Sequence, residues 1–319
     1  MRIASITGIK NESDIIESFV RHNSKYIDDF YFIDDSVDKT AEILEKLAQE
    51  GFRVIKVNFD TRDYQHNKIM TAATRYINAQ NQYDWIFFLD ADEIIYFPNK
   101  ELFLNNLNDN KLYPAGILRH YEMASNSKLF NESLNPLKEC FNARSIQSQT
   151  EKIFIRGDQS DKVIIGPGNH SVGSLNGELL DRYESRIQLA HYPVRTAEQY
   201  VTRTIIIYNS LHAKLNKIPG EGNHAIRQYE WLKENNFLAS PEKVTEWGCH
   251  FGLTNETRFQ CSLTEKVPEY LDDIICKYGD LTKKNHTLLL ALELERVADL
   301  LSQFRHRTFN AMEQMKSLI

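Results

Sequence analysis

Apolar residues recur along the first hundred positions in two alternating rhythms. Short runs at Ile3–Ile6, Phe30–Ile33, Phe52–Val57 and Trp85–Leu89 read as strands, because their length and aromatic or β-branched content favour a strand over a buried helix. Between them, apolar residues fall at helical spacing. Asn11 to His22 places Ile15, Ile16, Phe19 and Val20 on one face; Thr40 to Ala48 turns Ile43, Leu44 and Leu47 inward behind Asp38 as N-cap; Gln65 to Ile77 aligns Ile69, Met70, Ala73, Tyr76 and Ile77. Strand–helix alternation of this kind predicts a parallel sheet with right-handed crossovers.

From about Pro98 the rhythm changes. Ala115–Met123, Lys152–Ile155, Lys162–Ile165 and Ile187–His191 read as strands joined by polar loops rich in Asn and Ser. Thr196-Ala197-Glu198-Gln199 is a capping box that opens a helix reaching about Lys214, and Ile218–Gly222 breaks the chain. Beyond it the content is helical. Asn285 to roughly Met315 is amphipathic and carries Leu288, Leu289, Leu292, Leu294, Val297 and Leu301. The expected fold class is α/β, a mixed sheet flanked by helices with a helical C-terminal extension. The expected segments are 1–100, 101–217 and 218–319.

Candidate chemistry begins where the run Trp85–Leu89 stops in Asp90, Asp92 and Glu93. Open parallel sheets bind ligands at the carboxyl ends of their strands. Three acids crowded there repel one another unless a cation compensates them, and a hard divalent ion that also carries substrate phosphates suits the place. The competing reading is that these acids end the strand and cap the next element. Two more polar clusters, Asn11-Glu12 and Asp34 to Thr40, belong to the same edge of such a sheet. Asn11 and Asp38 could simply cap helices, and Asp34 or Asp35 could simply end a strand. Taken jointly, the three clusters favour a nucleotide pocket.

At these positions the chain resembles a family 2-type glycosyltransferase with the GT-A fold. Asp34-Asp35-Ser36-Val37-Asp38-Lys39-Thr40 is similar to the family's Asp-Asp-Gly-Ser-Thr-Asp-Gly-Thr segment, one residue shorter and without its glycines. Asp90-Ala91-Asp92 resembles the metal-binding Asp-x-Asp. Asn11-Glu12, Asp90–Glu93 and His191-Tyr192-Pro193-Val194-Arg195 follow the order and spacing of an Asn-Glu, Asp-Ala-Asp-Glu, His-Tyr-Pro-x-Arg variant. The resemblance covers about two thirds of the chain and does not reach the last hundred residues.

The resemblance implies sugar transfer from a nucleoside diphosphate donor, a UDP-sugar first, to a glycan or glycolipid acceptor of the surface-polysaccharide type. Residues 1–100 would then bind the nucleotide-sugar and 101–217 the acceptor. Asp34 or Asp35 would meet the base or ribose with Thr7 and Asn11 nearby. Asp90 would face ribose and metal, and Asp92 would hold Mn2+ or Mg2+ with His191 completing the metal site. Such an ion stabilises charge gathering on the leaving diphosphate. Gln65 and Lys68 share a helix face near its N-terminus, suited to phosphate or ribose. An inverting displacement also needs a base for the acceptor hydroxyl. The family's Glu-Asp motif is not recognisable here, and the candidates are His170, in the turn Gly166–His170, and Glu122.

Composition narrows the alternatives. A net charge of −6 over 319 residues argues against nucleic acid, whose binding rests on Lys and Arg. No apolar span crosses a bilayer, and the start lacks a signal peptide's apolar core. Cys140, Cys249, Cys261 and Cys276 lack metal-type spacing, which points to structural thiols in a reducing cytoplasm, with the protein free there or peripheral at the inner face of the membrane. A haloacid-dehalogenase-type phosphohydrolase also sets Asp-x-Asp after an apolar strand, but it wants the motif on an early strand followed by Thr, where this chain has Ile94. A nucleotidyltransferase would need a Gly-rich loop, and Thr7-Gly8-Ile9-Lys10 offers one glycine. A non-catalytic nucleotide- or glycan-binding protein is the third rival. The C-terminal stripe could pack on the catalytic domain, form a homodimer or lie on a membrane; mixed charge favours the first two.

Overall fold

Four parallel strands form the N-terminal edge of the sheet. β1 (Ile3–Ile9) lies between β2 (Asp29–Asp34) and β4 (Trp85–Phe88), and β3 (Val54–Lys56) pairs with the outer side of β2. The computed structural model describes residues 1–59, 66–80, 82–124, 137, 142–144, 150–213, 222–238, 240–251, 263–265, 270–271 and 274–316. Helices α1 (Ile16–Asn23), α2 (Thr40–Gln49) and α3 (His66–Gln80) supply the crossovers. Strand alternation sends side chains to opposite faces. Phe30, Phe32, Trp85 and Phe87 join one core with Phe19, Ile43 and Leu47, while Tyr31, Ile33, Ile86 and Phe88 join another with Ile69, Met70 and Ile77.

The second half extends this sheet in mixed sense. β5 (Glu93–Tyr96) and α4 (Lys100–Asp109) follow β4, and neither was evident in the hydrophobic pattern. Asn99 caps α4, accepting from the Leu102 N–H at 2.9 Å. β6 (Ala115–Ala124) and β8 (Glu151–Arg156) are antiparallel to each other, with β8 antiparallel to β4. β7 (Asn142–Arg144) pairs with the end of β6. β9 (Val163–Ile165) and β10 (Val172–Ser174) form a separate two-stranded sheet that packs into the second core. β11 (Arg182–His191) runs parallel to β6 and antiparallel to β5. Gly116 faces Phe154 in register, and a Cβ there would sit 2.2 Å from the ring.

Contacts divide the chain into two units. One comprises Met1–Phe59, Gln65–Thr196 and Pro241–Lys284; the other is chiefly Ala197–Ser240 and Asn285–Ile319. The first includes α7 (Pro241–His250) and β12 (Leu263–Glu265), which pairs with β7. The second is helical: α5 (Ala197–Ala213), α6 (Asn223–Glu234) and α8 (His286–Lys316). No described helix is long and apolar enough to cross a membrane.

The pattern predicted α1 from Asn11, but it starts at Ile16, because Asn11 adopts a left-handed φ of 60° and residues 12–15 form a turn. At its other end α1 seals an exposed strand edge. Asn23 Oδ1 accepts from the Ile95 N–H at 2.8 Å, and His22 Nε2 lies 2.7 Å from the Ile95 carbonyl. His22 is fully buried, and its Nδ1 has no partner among the described residues. Burial depresses its pKa to about 4. Since the unfolded imidazole binds a proton near 6.5, the unfolded state takes up more protons between those values, and stability falls as pH drops from about 6.5 to 4. We expect His22 to contribute roughly 3 kcal/mol of that acid loss. Urea titrations at pH 7 and pH 4 should show a smaller difference for His22→Gln than for the native chain.

Candidate functional site

The carboxyl ends of β1, β2 and β4 meet on one rim, and backbone donors stitch them together. The loop after β1 borrows its partners from the loop after β2. The Asn11 N–H donates to Ser36 Oγ at 2.8 Å, the Glu12 N–H to Thr40 Oγ1 at 2.9 Å, and the Ser13 N–H to Asp38 Oδ2 at 3.2 Å. In return Asn11 Oδ1 accepts from the Val37 N–H at 2.8 Å, so Asn11 ties two loops rather than capping a helix. Asp34 is spent on its own turn, accepting from the Ser36 N–H at 2.9 Å and pairing with Lys56 at 3.2 Å. Asp35 is 43% exposed, 3.5 Å from Lys10, and its carboxylate reaches solvent.

The Asp-Ala-Asp-Glu segment is a tight turn between β4 and β5. The Glu93 N–H donates to the Asp90 carbonyl at 3.0 Å, and the Asp90 N–H donates to Glu93 Oε2 at 2.8 Å. Glu93 thus closes the turn that presents Asp90 and Asp92. Beneath it lies Lys152 of β8, 2% exposed, with Nζ 2.6 Å from Asp90 and 3.3 Å from Glu93. Burial alone would raise the Asp90 and Glu93 carboxyls, but the ammonium overrides it and holds both low. Burial likewise pulls Lys152 down, and the two acids more than reverse this, so it stays charged.

β6 and β11 complete the rim. Glu122 and His191 are register partners, and His191 is also opposite Glu93 on β5. Glu122 is 1% exposed and lies 2.8 Å from His191 Nδ1, while His191 Nε2 faces Asp92 at 3.7 Å. His120, two residues before Glu122 and so on the same face, reaches Glu93 at 3.0 Å. Burial alone would lower the His191 pKa; Glu122 and Asp92 push it up to about 9. A carboxylate fixing one imidazole nitrogen while the other faces a second carboxylate suits a divalent ion between Asp92 and His191. His120, Glu122 and His191 also gather within 4.8 Å of one another.

Arg195 and Lys284 clamp the loop after β1. Arg195, 1% exposed, donates to Asp14 at 2.6 Å and to Glu12 at 2.7 Å, and lies 3.9 Å from Asp92. Lys284 donates to Asp14 at 2.5 Å and to the Asn11 carbonyl at 2.6 Å. Asp90, Asp92, Glu93, Glu122, Glu12 and Asp14 thus face Lys152, Arg195, Lys284 and His191, and carboxylates still outnumber cations.

The expected residues divide in three. Asn11, Asp34, Asp35, Asp90, Asp92 and His191 come together on the rim. Glu122 comes there too, enclosed and 2.8 Å from His191 Nδ1. His170 is exposed beside the rim, close enough for Lys152 and Asp90 to act on its pKa. Thr7 is fully buried within β1, and Lys68 is exposed on α3. Gln65 lies outside the described residues. Lys152, His120 and Lys284 were missed. A signal existed for the first two, since Lys152 and His120 occupy core-facing positions two residues from Phe154 and Leu118.

Breaking the lysine pairing has a measurable cost. Lys152→Met leaves Glu93 buried with only His120 beside it, while Asp90 keeps solvent contact, and should lower stability by about 1–3 kcal/mol in urea titrations. Adding Glu93→Gln to Lys152→Met should recover part of the loss; fully additive losses would show that the pair is not coupled.

Residues 6–160 match the family model described as Glycosyl transferase family 2. No curated protein sequence matches the chain. Among solved structures, S. aureus TarS 1-349 is 16% identical at a TM-score of 0.37, covering 96% of this chain and 92% of that one. The same TarS fragment in complex with UDP is 14% identical at 0.36 over the same shares. Glucosyl-3-phosphoglycerate synthase from Mycobacterium tuberculosis, in complex with Mn2+, UDP and glucosyl-3-phosphoglycerate, is 17% identical at 0.34, covering 68% and 81%.

Proposed function

We propose, from the family 2 glycosyltransferase match over residues 6–160, that the chain is a GT-A-type glycosyltransferase that transfers a sugar from a nucleoside diphosphate donor to a hydroxyl of a glycan or glycolipid. The observation that carries this reading is the Asp92–His191 pair facing each other on the rim beside Asp90, with Asp35 open to solvent at the end of β2. UDP-sugars are the first donors to test, with Mn2+ or Mg2+ as the ion. A bound ion would stabilise the charge gathering on the leaving diphosphate. Asp92 and His191 are the residues that would hold it, and a nitrogen ligand suits manganese better than calcium.

The chain's own groups do the remaining work. Asp35 meets the nucleoside, since Asp34 is engaged in its turn. Lys152 and Glu93 hold the Asp90 turn rigid under a ligand that brings two phosphates. His170 takes the proton from the acceptor hydroxyl. Its Nδ1 lies 2.5 Å from the Glu151 carbonyl, so Nδ1–H donates there and Nε2 keeps its lone pair. Desolvation by the groups packed round part of its ring, and then Lys152, lower its pKa and so favour the neutral form that can take a proton. Gly168, at φ 65°, lies under this ring, and a Cβ would come 2.6 Å from two ring atoms.

Asp92→Asn should retain the native circular dichroism and lower turnover about 10²–10³-fold, as expected when transition-state charge loses its support. Excess chelator should do the same to the native enzyme; full activity under chelation would sink the metal assignment. His170→Ala should lower kcat about 10²–10⁴-fold while thermal shifts with UDP and Mn2+ stay unchanged. Gly168→Ala should reproduce part of that loss. Asp35→Ala should weaken uridine and UDP alike, and loss confined to UDP would contradict its nucleoside role.

A further inference from the structure

On the other side of the His191 ring from Asp92, three buried side chains bring ligand atoms together. His120 and Glu122 stand two apart on β6 and so share a face, and His191 of β11 is the register partner of Glu122. They are 2%, 1% and 7% exposed. Glu122 turns one carboxylate oxygen to each imidazole, at 2.8 Å from His191 Nδ1 and 3.9 Å from His120 Nδ1. The two ring centroids are 4.9 Å apart, and one ligand atom from each residue lies within 4.8 Å of the others. His120 Nδ1 also lies 3.4 Å from Thr150 Oγ1, too long for a strong hydrogen bond.

Two further contacts distinguish a ligand set from a simple proton-sharing network. The other nitrogen of each imidazole meets a different carboxylate, His120 Nε2 at 3.0 Å from Glu93 and His191 Nε2 at 3.7 Å from Asp92. Metal-ligating histidines keep this arrangement, in which a carboxylate on one nitrogen fixes the tautomer and turns the lone pair of the other to the ion. His191 can be fixed from either side, but His120 settles the direction. With Nε2–H given to Glu93, its lone pair falls on Nδ1, toward Glu122. Two imidazoles and one carboxylate are a zinc-binding set. Hard ions such as Mg2+ and Ca2+ take oxygen ligands instead. The ladder between β6 and β11 holds the three backbones in place, so the site is largely formed before an ion arrives.

We propose that His120, Glu122 and His191 bind a zinc ion, at a site distinct from that at Asp92, through the two Nδ1 atoms and a Glu122 oxygen.

The His191–Glu122 contact gives up its proton as the ion enters. A neutral imidazole has one lone pair, so zinc on His191 Nδ1 leaves an N–H facing Asp92 and takes His191 from the ion proposed there. Full-length protein, freed of any affinity tag and stripped with chelator, should retain one zinc per chain after incubation with zinc and gel filtration in magnesium. X-ray absorption at the zinc edge of this native complex should show two imidazole ligands. His120→Gln and Glu122→Gln should each lose the zinc while keeping the native far-ultraviolet circular dichroism, and Asp92→Asn should keep it. A native chain that retains no zinc, a spectrum with one imidazole, or zinc that survives His120→Gln but not Asp92→Asn would overturn the proposal. Should His120→Gln fail to fold, the native spectrum still decides. No sugar donor enters these measurements, so they fail or succeed independently of the transferase reading. On that reading, one equivalent of zinc should also weaken Mn2+ binding by the native chain.

Discussion

Taking an ion out of water costs several kcal/mol unless a partner of opposite charge and good geometry waits inside. Lys152 meets that condition at the centre of the sheet, between Asp90 and Glu93, and the rest of the rim is arranged around it. Because the lysine keeps Glu93 ionised, Glu93 can accept from the Asp90 N–H and close the turn. Because the turn is closed, Asp92 is aimed at His191, which Glu122 holds from the other side. After burial, the same lysine is the next largest influence lowering the His170 pKa. One buried ammonium therefore bears on the turn, the imidazole pair and His170.

Under the transferase reading proposed above, the charge balance is what would suit the rim to a diphosphate. Lys152, Arg195 and Lys284 neutralise the acids that build the walls, and they are committed to that task through short contacts. Asp92 and His191 face each other at 3.7 Å, with His191 held by Glu122 at 2.8 Å. Under that reading, a rim whose wall charges are largely paired, with Asp92 and His191 facing each other across it, would take an anionic ligand together with an ion. A surface of uncompensated carboxylates would repel the ligand before any ion arrived.

Much of this was legible in the sequence where the pattern is local. The runs Ile3–Ile6, Phe30–Ile33 and Trp85–Leu89 became β1, β2 and β4, and the acids that stop them became the rim. What escaped was non-local. Glu93–Tyr96 reads as the tail of a turn, yet it is a strand because β11, some ninety residues on, supplies its ladder and Asn23 covers its other edge. Lys152 and His120 look like ordinary surface polars until the strand alternation sets them beside Phe154 and Leu118. The Asn11 reading failed because a cap and a left-handed tie between loops use the same residue type. The part played by Lys284 had no local signal at all, since its partners lie 270 residues earlier.

That clamp has a consequence for the order in which the molecule is made. Contacts between residues close in sequence form early, and those that close long loops form late. The strands and crossovers of the first ninety residues can assemble while the chain is still being synthesised. Asp14 must wait for Arg195, 181 residues on, and then for Lys284. A nascent chain therefore presents Glu12, Asp14 and Asp92 without Arg195 until that residue has been made, and Asp14 without Lys284 for longer still. The rim is the last part of its unit to close, and a chain stopped before Lys284 can form much of its sheet but not the clamp on the loop after β1.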